Sequence, residues 1–174
     1  MIDFNIFIEN EYSNWNIDID KLTKTIEEIF NFYMSCPEIR ENCCLSDYEG
    51  EFDTIGFDFL LCDSSKTHKI NKEYREKDYP ANIITFAVFA DSPEDERFIL
   101  DLEINLGEII IGLDKIIEEA EKKAISKESE LVFMISHGIM HLLGFDHQTM
   151  EDFEFVVNYQ KKALESMGIR YDKI

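Results

Sequence analysis

Between residues 131 and 143 the chain reads LVFMISHGIMHLL, apolar at every position except Ser136, His137, Gly138 and His141. A helix that is apolar nearly all round offers no face to water and is buried. Such a segment obliges the rest of the chain to wrap it, and 174 residues suffice for one domain with a substantial core. The helix is expected to open near Ser126, with Glu128 and Glu130 in the first turn, where the helix dipole favours carboxylates.

The polar exceptions carry the chemistry. Three of the four histidines of the chain fall in SHGIMHLLGFDH, residues 136–147. His137 and His141 are four apart, so they rise on one helix face with Cβ atoms roughly 6 Å from each other. Both rings can then reach one ion at about 2.0–2.1 Å. A continued helix would carry His147 about 15 Å up the axis from His137. Gly144 removes this obstacle, because glycine takes the left-handed conformation that ends a helix and turns the chain back. Three protein ligands with an open fourth position describe a catalytic zinc site rather than a closed structural one. The spacing is that of the HExxHxxGxxH zinc proteases, except that Gly138 stands where those enzymes carry a glutamate base.

Around this helix the periodicity supplies a sheet. Ile2, Phe4, Ile6 and Ile8 alternate as a strand does, and Ile55, Phe57, Phe59 and Leu61 predict a second strand over 52–62. Between them, from Asp18 or Asp20, Leu22, Ile26, Ile29, Phe30 and Tyr33 recur at helical spacing until Pro37. Ser64 or Ser65 is the expected cap of a short helix through SKTHKINKEYR. A turn at Pro80 leads into a β-rich run to residue 89. FILDLEINLGEIIIG (98–112) reads as one or two strands with a break or bulge at Asn105-Leu106-Gly107. Helices over about 114–123 and 150–166 complete the chain. The pattern predicts an α+β fold: a single domain over 1–174, a small mixed sheet packed against helices, and a buried metal-binding helix.

The net charge of −20 argues against a protein that grips nucleic acid over its whole surface. A local exception exists. Residues 66–77 (KTHKINKEYREK) hold five basic and two acidic residues. Lys66, Lys69, Lys72 and Arg75 recur every third residue and form an oblique stripe on a helix. The N-terminus lacks a basic and apolar leader, and the apolar runs are short. A cytoplasmic protein with no membrane partner is therefore expected. Cys36, Cys43, Cys44 and Cys62 lack CxxC spacing and read as reduced thiols.

Four segments carry a family likeness. HGIMHLLGFDH is similar to the HGxLHLLGYDH signature of the YbeY family of bacterial rRNA maturation factors. INKEYREKDYPANIITF (70–86) resembles that family's LNxxYRxKDxPTDVLSF, and LGEIIIG (106–112) resembles its LGDIVIS. FEFVVNYQ (153–160) is similar to the family's helix leading into a glutamine. The resemblance runs from about residue 52 to 165. Ala81, Ile84, Thr85 and Glu108 depart from it, standing where the family has Thr, Leu, Ser and Asp.

The resemblance implies a zinc-dependent, single-strand-specific endoribonuclease acting in 3′-end maturation of small-subunit rRNA and in ribosome quality control. It implies one Zn²⁺ held by His137, His141 and His147, with Arg75 as the functional arginine and His137 and Arg75 as the catalytic residues. The implied partners are single-stranded rRNA and the ribosome or a small-subunit assembly protein. Water or a 2′-hydroxyl, activated with the metal's help, would attack a phosphodiester, and Arg75 would meet the charge that builds on the phosphate. Lys66, Lys69 and Lys72 then read as a track for RNA phosphates. Asp146 and Glu108 are candidates to orient a histidine or accept a proton. Phe145 and Phe86 are expected to pack rather than stack on bases, and His68 to lie exposed. Two other classes stand beside this one. A metzincin-like metalloprotease fits the ligand spacing but lacks its base at Gly138. A non-enzymatic metal-binding ribosome-assembly factor would keep the ligands without cleaving RNA.

Overall fold

The structure, a computed structural model, describes residues 1–171. The alternation at Ile2–Ile8 becomes β1 (Asp3–Asn10), and that at Ile55–Leu61 becomes β2 (Thr54–Cys62). With β3 (Ile83–Phe86) and β4 (Glu103–Gly112) they form one sheet in the order β1-β2-β4-β3. β1, β2 and β4 run parallel and β3 is antiparallel to β4, so the sheet is mixed. Parallel neighbours require crossovers. The first consists of α1 (Ile19–Ser35) and the short α2 (Pro37–Arg40), and the second begins with α3 (Ser64–Arg75). After β4 come α5 (Leu113–Lys123), α6 (Lys127–Leu142) and α7 (Met150–Ser166).

The bulge expected at Asn105-Leu106-Gly107 is present and decides which face each β4 side chain takes. Gly56 pairs with Asn105 but Phe57 pairs with Gly107, leaving Leu106 as the extra residue. The Asn105 side chain accepts the Gly107 N–H at 3.0 Å and closes the irregularity. Alternation changes phase there. Ile104 and Leu106 reach the main core before the bulge, and Ile109 and Ile111 reach it after. Ile110 joins Cys62 and Ile84 in a smaller cluster on the other face.

The main core lies between the sheet and α1, α6 and α7, where Phe30, Tyr33, Phe57 and Phe59 are fully or almost fully buried. α6 is enclosed as its composition requires, with Leu131, Val132, Phe133, Ile135, Ile139, Met140 and Leu142 all buried. α7 packs against both α1 and α6, and so reaches the helix that carries the histidines.

Two details differ from the sequence expectation and a third narrows it. The cap of α3 is Asp63, whose side chain accepts from Lys66 N at 3.0 Å, while Ser64 turns to Asp114 of α5. The β-rich run stops at Phe86 and becomes the single turn α4 (Val88–Asp91). The chain leaves the sheet where the Phe86 carbonyl oxygen stands 1.9 Å from the position a Cβ would take at Gly107, a contact only glycine at φ 132° allows. The 98–112 segment gives one strand, preceded by a tight turn with Asp101 and Leu102 at positive φ. Among the described residues no helix is long and apolar enough to cross a membrane, and all four cysteines are free.

Candidate metal centre

Ser126 caps α6, accepting the Ser129 N–H at 3.1 Å. At the other end Gly144, at φ 98°, donates its N–H to His141 O, and Phe145 donates to Met140 O, each at 3.0 Å. This pair of bonds is the Schellman motif, which satisfies two orphan carbonyls and reverses the chain. His147 thereby returns to the helix it has just left. The His137–His141 ring centroids are 4.7 Å apart, and His147 lies 5.2 Å from each. One nitrogen from each ring fits within a cluster spanning 4.8 Å.

His137 and His141 are half-buried and His147 is exposed. Burial pushes the His137 pKa down, opposed by the hydrogen bond that His137 makes to Gln160 Oε1 and assisted by His147. His141 is pushed down to about 4 by burial first, then by His137, His147 and the positive charge of Arg75. Both rings are therefore neutral at pH 7, which leaves lone pairs for a cation. His137 Nε2 and His141 Nε2 are 3.1 Å apart. Two ligands of a tetrahedral zinc at about 2.0–2.1 Å would stand about 3.4 Å apart, so the donor set fits such an ion. Three imidazoles accept nickel or copper as well.

Gly138 faces away from this cluster. A Cβ there would fall 2.8 Å from Ile109 Cδ1 and 3.1 Å from Ile83 Cδ1, so the glycine lets α6 lie close on β3 and β4. The position that carries a protease's base is a packing position here.

The remaining expected site residues separate into groups. Arg75, the last residue of α3, is exposed; its Nη1 donates to Asn71 Oδ1 at 3.2 Å, and its charge is felt at His141. Lys69 and Lys72 are exposed on the same helix. Lys66 is tied to the carboxylate of Glu11, with 2.8 Å to Oε2, and is the least free member of the expected track. Asp146 lies exposed in the turn between Gly144 and His147. Phe145 packs on Phe155, Phe86 meets Tyr74 edge-on, and His68 pairs with Asp78 at 2.7 Å.

Glu108 requires a correction. It follows the bulge, so it shares the face of Ile110 and sits beside Asp58, its partner on β2. Its neighbour Ile109 is the residue that points to α6 and touches Gly138. Glu108 is therefore on the wrong face of the sheet to orient a histidine or take a proton at the cluster. With Asp58, Glu103, Phe86, Val88 and Phe98 it lines a separate cavity of about 660 Å³. Burial and the nearby Asp58 carboxylate raise its pKa, with Lys66 opposing.

The residue that does touch the cluster from outside is Gln160 of α7, whose Oε1 lies 3.2 Å from His137 Nδ1. Its sign in the sequence is the family likeness of FEFVVNYQ, which ends in this glutamine, with no local spacing that links it to His137.

The fold and the cluster define an α+β protein with a three-histidine centre, the donor set used by catalytic zinc sites. Comparison with known sequences identifies which one. The family model described as Endoribonuclease YbeY matches residues 7–168, and the chain belongs to the YbeY family. It is 30% identical to an Endoribonuclease YbeY of Agathobacter rectalis, over 94% of this chain and 97% of that one. A Bacillus cereus relative of the same name is 35% identical over 87% of this chain and 96% of its own length. The Bacillus subtilis relative is 38% identical over 72% and 80%. The fold is similar to the solution structure of a Thermotoga maritima protein, with a TM-score of 0.52 and 21% identity over 94% of this chain and 92% of that one.

Proposed function

We propose that this chain is a zinc-dependent, single-strand-specific endoribonuclease, a cytoplasmic hydrolase that matures the 3′ end of small-subunit rRNA and serves ribosome quality control. Membership of the YbeY family supports the endoribonuclease activity. The observation that carries the metal reading is the convergence of His137, His141 and His147 around one small volume, two of them held neutral by burial. The whole chain, residues 1–174, is read as one metallo-endoribonuclease domain.

The three histidines would hold the ion, and its chemistry there is Lewis acidity, which polarises a phosphoryl oxygen and lowers the pKa of an attacking oxygen nucleophile. The protein's own groups supply the rest. Arg75 is exposed near His141, and its planar fork can take two phosphate oxygens as charge develops on them. Lys69 and Lys72 extend positive charge along α3 for the neighbouring phosphates. Asn71 steadies Arg75, and its own amide is fixed by the Tyr79 carbonyl at 2.9 Å. Asp146, exposed in the turn one residue before His147, remains a candidate to accept a proton. The acidity of the rest of the molecule favours delivery by the ribosome or a small-subunit assembly protein over capture of free RNA.

The test combines elemental analysis of the purified protein with cleavage of unstructured and duplex RNA oligonucleotides. One zinc per chain and cleavage of the unstructured RNA alone are expected, both lost in His137→Ala. Stoichiometric metal without RNA cleavage would favour the assembly-factor reading.

A further inference from the structure

Gln160 is fully buried, yet the chemistry above gives it no part. An amide's two ends are alike in shape, so its direction has to follow from its partners. One end faces the Phe133 carbonyl at 3.0 Å and Ser136 Oγ at 3.3 Å. Ser136 gives its own hydrogen to Phe133 O at 2.6 Å, so toward Gln160 it has only lone pairs to offer. Both neighbours therefore accept, and that end of the amide must be the NH₂ group. Reversal would set oxygen against oxygen with no hydrogen between them. Tyr33 OH donates to the Ser136 carbonyl at 3.0 Å and secures α6 from the α1 side.

With Nε2 so committed, Oε1 is turned to His137 Nδ1, 3.2 Å away. An amide oxygen can only accept, so this bond requires the hydrogen on Nδ1. A neutral imidazole carries one ring hydrogen, and the lone pair then falls on Nε2. That nitrogen points into the cluster, 3.1 Å from His141 Nε2.

We propose that Gln160 is a positioning residue that fixes His137 in the Nδ1–H tautomer and thereby presents Nε2 as a ready metal ligand. The consequence for metal affinity rests on the three-histidine reading above; the tautomer does not. The orientation is set by the backbone of α6 itself, so the same helix that carries the ligand also aims the group that prepares it.

The test uses the full chain, wild type, Gln160→Leu and Gln160→Glu. Long-range ¹H–¹⁵N spectra of the metal-free proteins read the His137 tautomer, and competition with a chromophoric chelator reads zinc affinity. The wild type should show Nδ1–H at His137. Gln160→Leu should lose that preference and bind zinc about 10–100-fold more weakly. Gln160→Glu, protonated on the oxygen that faces the Phe133 carbonyl and accepting from Nδ1 with the other, should keep the tautomer and most of the affinity. A folded Gln160→Leu with unchanged tautomer and affinity overturns the proposal. If that variant does not fold, the wild-type spectrum decides: Nε2–H at His137 overturns the proposal and Nδ1–H supports it. A wild type that shows Nδ1–H but binds no zinc removes the metal reading and leaves the positioning of His137 standing.

Discussion

Gly138 rests on Ile109: a Cβ on the glycine would meet Ile109 Cδ1 at 2.8 Å and Ile109 Cγ2 at 3.2 Å. The contact fixes how closely α6 approaches β4, and hence where the two helical histidines stand. Gly138→Glu, the change that completes a protease motif on paper, should cost about 3 kcal/mol or more in urea unfolding. It both overpacks the helix–sheet seam and buries an unpaired charge. No peptide hydrolysis should appear, because the new carboxylate meets Ile109 and Ile83 instead of the histidine cluster. Efficient peptide cleavage by a stable Gly138→Glu protein would refute this placement.

Glu108 and Asp58 sit side by side across β2 and β4, and Glu108 has its pKa raised by burial and by that neighbour. A carboxylate with a raised folded pKa stabilises the fold only when protonated. The contribution is complete below the unfolded pKa and is lost as pH rises through the folded one. Glu108→Gln should therefore raise stability at pH 7, by less than about 1 kcal/mol for this half-exposed group. The advantage should shrink on acidification. Zinc affinity should not change, because Glu108 is on the face away from the histidines; a tenfold change would return it to the metal site.

These two residues show where the sequence was legible. The histidine triad could be read because its geometry is local: a four-residue step on one helix and a glycine that reverses the chain. The strands and helices followed from periodicity in the same way. Glu108 could not be placed, because its face depends on a phase change at Leu106. Without that bulge Glu108 would continue on the face of Ile104 and Leu106. Gln160 was legible as the glutamine that ends a family-like helix, but its contact with His137 was not, since that arises only from how α7 crosses α6. The cap of α3 moved one residue, to Asp63, because Ser64 is occupied by Asp114, 50 residues on. Local spacing is visible in a sequence, whereas partners brought together by packing are not.

On the proposed reading Arg75 acts on substrate and not on the ion. Arg75→Glu should lower single-strand RNA cleavage by about 10²–10³-fold, the usual cost of losing a charge-stabilising donor, while zinc content stays at the wild-type level. Along the same helix the lysines should separate. Lys66→Ala should leave cleavage nearly unchanged, because Glu11 already holds that ammonium. Lys69→Ala and Lys72→Ala should each weaken RNA binding and reduce its salt dependence by about one unit of slope. Equal effects from all three lysines would argue against this division.

A buried ion pair fastens the entry of α6. Glu130 is 1% exposed and accepts from Lys123 Nζ at 3.1 Å and from Tyr171 OH at 2.6 Å; Lys123 also reaches Tyr171 OH at 2.7 Å. The Tyr171 ring stacks on Phe133 at 3.8 Å and covers the carboxylate side of the network, while the Lys123 side chain stays 27% exposed. Lys123→Met leaves a buried carboxylate without its cation and should cost about 3–5 kcal/mol in chemical denaturation. Replacing both partners, Lys123→Met with Glu130→Leu, should recover most of that loss, because no charge is then stranded. A double variant as unstable as the single one would assign the cost to packing rather than to the ion pair.

The histidines also give the metal-free protein a defined response to acid. His141 has its folded pKa pushed down to about 4 by burial, by the other two histidines and by Arg75. Above the ordinary histidine pKa of about 6.5, both folded and unfolded chains are neutral at this residue, so it contributes no slope. Between about 6.5 and 4 the unfolded chain takes up a proton that the folded site refuses. Stability therefore falls as pH falls, and the loss is complete below about 4. The loss attached to His141 should be on the order of 2–3 kcal/mol. Carboxylates titrate in part of the same range, so the measurement is a difference. Urea unfolding of chelator-treated wild type and His141→Gln at pH 7.5, 6 and 4.5 should show the wild type losing its margin over the variant as the solution is acidified. Parallel curves for the two proteins would mean that burial and the neighbouring charges do not hold the proton off His141 in the folded chain.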